Sequence, residues 1–175
     1  TEGKICQELL QARLRNDFEP SHKLCEPHEP PSGQCLGGGL GKFIGPSFAT
    51  IAGFAKNSAI IHYNPPETGG SKIETSKNTL LLIDSGGQYL GGTTDITRTI
   101  FISDGNNMPT KQMMQDYTSV LKGHIAIARV IFPKGTFGAS LDILARIALW
   151  QRGLNFPHGT GHGVGNCLNV HESGG

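Results

Sequence analysis

The run Thr79-Leu80-Leu81-Leu82-Ile83 ends on Asp84, and that junction constrains the chain more than any other feature. A run without polar alternation reads as a strand buried on both faces. A carboxylate at its end needs a partner, because an unpaired buried charge is costly. Ser85-Gly86-Gly87 and then Gly91-Gly92 are turn signals, and residues 94–102 read as a returning strand. A hairpin-like return would let Asp84 and Asp95 face each other. Two close carboxylates repel unless they share a proton or a cation. Hard oxygen ligands suit Mn(II), Mg(II) or Ca(II). The residues alone leave two alternatives open. Asp84 could simply cap the turn, and Asp95 could point to solvent and pair with Arg98.

A second signal lies at His158-Gly159-Thr160-Gly161-His162-Gly163-Val164-Gly165, with His171 following. Two His at i, i+4 would suit a metal-binding helix, but the interleaved glycines exclude one. Glycine at every second position also packs poorly in a strand. Such a segment makes sense where backbone passes close to a ligand. Each His taken singly reads as a structural histidine, and three on one Gly-rich stretch weaken that reading. His62 follows Ala59-Ile60-Ile61 and says little by itself.

The remaining chain supplies a mixed frame. Ile5, Leu9, Leu10 and Leu14 predict an amphipathic helix over 3–17. Further strands are predicted at 47–51, 59–63 and 79–84. Thr110 is a predicted N-cap for a helix whose face carries Met113, Tyr117, Val120, Leu121 and Ala128. A second helix carries Leu141, Leu144, Ala145, Ala148 and Leu149 and stops at Gly153. Strands, then helices, then a Gly/His-rich strand imply an α+β layer fold.

Residues 19–43 differ from the rest, with four Pro and five Gly and no period. They read as an insert, linker or disordered loop. Cys25, His28 and Cys35 within it lack the paired spacings of a zinc site. Fifteen basic against fourteen acidic residues leave a net charge of +1, which removes bulk electrostatics as a reason to bind nucleic acid or anionic membrane. No apolar run approaches the ~20 residues of a membrane span. The start shows no signal-peptide pattern, so a cytoplasmic protein is expected.

Six ordered blocks carry a resemblance. They are Ile60-Ile61-His62-Tyr63, Leu82 to Tyr89, Gly92 to Thr99, Leu121 to Ala126, His158 to Gly165, and Leu168-Asn169-Val170-His171-Glu172. Together they resemble the catalytic domain of cytosolic Xaa-Pro aminopeptidases (aminopeptidase P), which have the pita-bread fold. The resemblance implies that Asp84 binds one of two divalent metals, most often Mn(II), that Asp95 bridges both, and that His162 binds the other. It implies that His158 sits beside the substrate and helps move or position protons. His62 and His171 would help bind substrate and stabilise the reacting carbonyl. The implied reaction releases an N-terminal residue that precedes proline, through attack by a metal-bridged hydroxide. The partner is a peptide with proline in second position, and the full-length parent is expected to form a homodimer.

Three departures shape the expectation. Residues 19–43 have no counterpart in the family, and its amino-terminal domains are absent. Two further Glu ligands would lie beyond Gly175. The expected organisation is a helix of the catalytic domain at 1–18, the insert at 19–43, and a partial pita-bread domain at 44–175, incomplete at its C-terminus. Such a piece is expected to be weak or inactive alone. The alternatives are a non-catalytic peptide- or protein-binding remnant of the fold, and a prolidase-like dipeptidase.

Overall fold

The computed structural model describes residues 1–15 and 42–172. Most of the expected insert at 19–43 therefore lies outside the described residues, together with Cys25, His28 and Cys35. The chain divides into two compact units, Thr1–Ser103 with Val164–Val170, and Asp104–Gly163 with His171–Gly175.

In the first unit, helix α1 (Glu2–Leu14) precedes β1 (Phe43–Pro46), β2 (Ile51–Phe54), β3 (Thr79–Ser85), β4 (Gly87–Tyr89), β5 (Gly92–Thr93) and β6 (Ile96–Ile102). Two three-stranded antiparallel sheets result, ordered β2-β3-β6 and β1-β4-β5. The apolar run is the central strand β3, but only Leu81 and Ser85 on it are buried and the other residues are half-buried, so the expected burial on both faces is incomplete. Its register sets Asp84 between Ile51 on β2 and Thr97 on β6. Ala52, Phe54 and Leu81 are the buried apolar core of this unit.

The return from β3 to β6 is less direct than a hairpin. After Ser85 the chain crosses into the other sheet, forms β4 and β5, and comes back. Gly86 is the crossing point. A Cβ there would run into the Thr94 carbonyl and the Ser47 hydroxyl, so only glycine fits. Just beyond, the Gly87 amide donates to Thr94 Oγ1 at 2.8 Å, and the Thr94 amide donates to the Gly87 carbonyl at 2.9 Å. Thr94 is thereby pinned at the end of β3, and Asp95 follows it.

Helix α1 is tied to the unit at both ends. Glu2 is fully buried. Its carboxylate accepts from the Phe54 amide (2.7 Å), Asn57 Nδ2 (3.0 Å), the Ser71 amide (2.8 Å) and the Tyr63 hydroxyl (2.9 Å). Burial pushes the Glu2 carboxyl up, but these four donors outweigh it and hold the group below the usual carboxylate range. At the other end, Arg13 Nη1 donates to Ser85 Oγ at 2.7 Å, beside the Thr50 hydroxyl.

Two predicted strands are absent. Residues 47–50 are irregular, with β2 beginning at Ile51, and 59–63 close a 3-10 turn (Ala55–Ala59) and a bend. The Glu2 network gathers Asn57 and Tyr63 onto one carboxylate, which a straight strand cannot do. The Gly/His-rich segment makes a single bridge, Gly163 with Glu172, and no strand. Its glycines give a ladder little to pack.

In the second unit, α2 (Lys111–Arg129) packs on α3 (Asp142–Trp150). Thr110 caps α2 as predicted, its hydroxyl accepting from the Met113 amide at 3.2 Å. The buried face differs from the prediction. Ser119 and Gly123 are buried, whereas Tyr117, Val120 and Leu121 are exposed. Close approach of the helices selects small residues. A Cβ at Gly123 would strike the Ala145 main chain, whose carbonyl carbon lies 2.8 Å from that position. On α3, Ala145 and Leu149 are buried as expected, and Gly153 follows with φ +69°.

Gly123→Val is expected to destabilise the protein by about 1–3 kcal/mol through overpacking, measured by urea denaturation. Glu2→Gln is expected to cost about 2–4 kcal/mol, because it weakens several buried bonds to one charged acceptor. The Glu2 contribution has a definite pH sign. With its folded pKa depressed, it is present above the ordinary carboxylate range and is lost as pH falls through the folded value. Acid titration of stability should therefore be shallower in Glu2→Gln than in wild type.

Candidate metal centre

The first unit brings two of the expected ligands together. Asp84 ends the central strand, half-buried, and its carboxyl lies within hydrogen-bond reach of Thr97 and Asp95. Burial pushes the Asp84 carboxyl above the usual carboxylate range. The Thr97 hydrogen bond and the nearby His62 pull it down, and the Asp95 charge and hydrogen bond push it further up. Asp84 Oδ1 is buried and has no hydrogen-bond partner among the described residues. An orphaned buried oxygen beside a second carboxyl fits a divalent cation, since a cation satisfies the oxygen and removes the repulsion together. Arg98 donates to the Thr97 carbonyl at 2.7 Å.

His62 is exposed and adopts a left-handed backbone, φ +54°. Its neighbour Tyr63 is held by Glu2, so the same buried carboxylate fixes the turn that presents His62.

The second unit carries the three other candidate histidines, His158, His162 and His171. His162 and His171 lie edge to face, with ring centroids 4.2 Å apart. His162 Nδ1 lies 2.8 Å from the Gly163 carbonyl. A carbonyl only accepts, so Nδ1 is the donor in this contact and Nε2 is the nitrogen left to face a ligand. His158 shows the same arrangement, with Nδ1 2.8 Å from the Gly159 carbonyl. Its ring stacks at 4.7 Å on Phe156. Within the first unit, the carboxylates of Asp84 and Asp95 suit a hard divalent ion.

The profile of metallopeptidase family M24 matches residues 1–175. The chain belongs to that family. Aminopeptidase P1 of Lotus japonicus is 51% identical over 130 residues, covering 74% of this chain and 19% of that protein. A crystal structure of X-prolyl aminopeptidase from Caenorhabditis elegans, described as a cytosolic enzyme with a di-nuclear active site, superposes with TM-score 0.77 at 39% identity. That match covers 99% of this chain and 23% of the other. A prolidase from Pyrococcus horikoshii matches with TM-score 0.62 at 30% identity, over 74% of this chain and 35% of that one. The chain therefore spans about a fifth of the length of the aminopeptidase relatives it matches. Its fold is the family's α+β pita-bread fold in partial coverage.

Within this M24 chain, several residues that support the site escaped sequence reading. Glu2 and Arg13 act at long range and leave no local pattern. Asp142 and Arg146 do leave one, an acid–base pair at i, i+4 on the predicted second helix.

The raised Asp84 pKa gives a signed expectation. The metal-free folded state holds the proton more tightly than the unfolded chain. Its contribution is full below the ordinary carboxylate range and is lost as pH rises through the raised value. Asp84→Asn should therefore raise the melting temperature of metal-free protein by a few degrees at pH 7 and leave it unchanged near pH 3. The same variant should lose the rise in melting temperature expected when a divalent cation is added to wild type. Differential scanning calorimetry with and without chelator reads both.

Proposed function

We propose that this chain is part of the catalytic domain of a cytoplasmic Xaa-Pro aminopeptidase, which releases the N-terminal residue of a peptide with proline in second position. One observation carries the reading. A buried, unpartnered carboxylate oxygen faces a second carboxyl, on a backbone similar to that of an X-prolyl aminopeptidase with a di-nuclear site. No helix among the described residues is long and apolar enough to cross a membrane.

Asp84, Asp95 and His162 would hold two divalent ions, Mn(II) by preference. Bound there, such ions lower the pKa of water and polarise a carbonyl oxygen. The chain's own residues supply the rest. His158 accepts and returns a proton at Nε2, its Nδ1 proton being committed to the Gly159 carbonyl. His62 and His171 bind the peptide and donate toward the oxygen that gains charge at the reacting carbonyl. Residues 1–18 form the domain's N-terminal helix segment, 19–43 a Pro/Gly-rich insert, and 44–175 a partial catalytic domain. The full-length protein works as a homodimer.

The test is turnover by the native protein, stripped of metal and reloaded with Mn(II). Peptides of three or more residues with proline second should be cleaved, and Asp95→Ala should lower kcat/KM by at least about 100-fold. Cleavage of an Xaa-Pro dipeptide alone would move the assignment to a prolidase. Peptide binding without turnover would make the fold a binding module.

A further inference from the structure

The geometry assigns Arg146 as the positioning residue for His158, an inference that rests on the proposed role of His158 and extends it to α3. All five guanidinium N–H groups are used. Nε and Nη2 donate to the two oxygens of Asp142 at 2.6 and 3.0 Å. Nη1 donates to Asn155 Oδ1 at 2.9 Å and to the Phe156 carbonyl at 2.7 Å. Nη2 also donates to the His158 carbonyl at 2.7 Å. The guanidinium lies 4.0 Å over the Phe156 ring, the ring on which His158 stacks. Asp142 in turn accepts from the Thr160 hydroxyl.

One side chain on a helix thus holds residues 155, 156 and 158, and its partner holds 160. Trp150 Nε1 also donates to Asn155 Oδ1 at 3.3 Å and Gly163 bridges to Glu172, but the glycines between add no side-chain packing. A Cβ at Gly159 or Gly161 would touch nothing within 4 Å, and His158 itself is exposed. An exposed glycine-rich backbone samples many conformations. A group that moves protons must be held within about 0.5 Å of its working place. Arg146 is only 12% exposed, and its planar fork can serve the carboxylate and both carbonyls together. Lysine, a compact charge with three donors, cannot reproduce that arrangement.

The test uses the native protein loaded with Mn(II), comparing Arg146→Lys, His158→Ala and the double variant on a peptide with proline second. Arg146→Lys should lower kcat by about 10–100-fold with little change in KM or in Mn(II) affinity. The double variant should be no slower than His158→Ala, because a positioning residue acts only through the group it positions. Amide hydrogen exchange should rise across 155–162 in Arg146→Lys and stay unchanged in α2. This readout needs no activity, so it separates failure of this inference from failure of the aminopeptidase reading. If Arg146→Lys does not fold, Thr160→Val removes a single tether and should slow wild type several-fold but leave His158→Ala unaffected. Wild-type kcat in Arg146→Lys, unchanged exchange across 155–162, or losses that multiply in the double variant would overturn the assignment.

Discussion

Two acids in the first unit, the buried Glu2 and the half-buried Asp84, face the same problem and resolve it differently. A carboxylate withdrawn from water must recover what the solvent gave it. Glu2 recovers it from four hydrogen-bond donors, and its carboxyl is held below the usual range. Asp84 does not. One of its oxygens is orphaned, its neighbour is a second acid, and its carboxyl is held above the usual range. The first arrangement is finished within the protein and sets the frame. The second is left unfinished among the described residues. Because Glu2 gathers the 54–71 region and Arg13 reaches Ser85 beside Asp84, the finished site braces the unfinished one.

The frame around the site was legible where local chemistry decides. The apolar run of β3, the Thr110 cap and the Gly153 stop each act within a few residues, and each stands where the sequence puts it. The Asp84–Asp95 encounter was legible as a constraint, although its route through a second sheet was not. That route depends on Gly86, whose need for an absent side chain comes from Ser47 and Thr94, distant in sequence. The 59–63 segment was misread as a strand because Ile60 and Ile61 look like one. The Glu2 carboxylate outcompetes that propensity by drawing in Asn57 and Tyr63. On α2 the large residues suggested the buried face, but helix approach at Gly123 and Ala145 rewarded the small ones.

Histidines in the second unit show a parallel division of labour. The glycines between them leave the backbone open to a ligand and remove the packing that would fix it. Order must then come from elsewhere, and the Asp142–Arg146 pair on α3 supplies it through main-chain carbonyls. The carbonyl contacts at Gly159 and Gly163 make Nδ1 the donor and turn Nε2 outward in His158 and His162. Position and ring orientation are therefore set by groups that need not touch substrate, which is why motif reading found the histidines and missed their support.

The claim that Asp84 and Asp95 are completed by a divalent ion is tested most directly by calorimetric titration of metal-free native protein with Mn(II). Saturable binding that releases protons as the pH is lowered toward the raised Asp84 range is expected, with loss of that binding in the Asp84→Asn, Asp95→Asn double variant. Equal affinity in wild type and the double variant would contradict it.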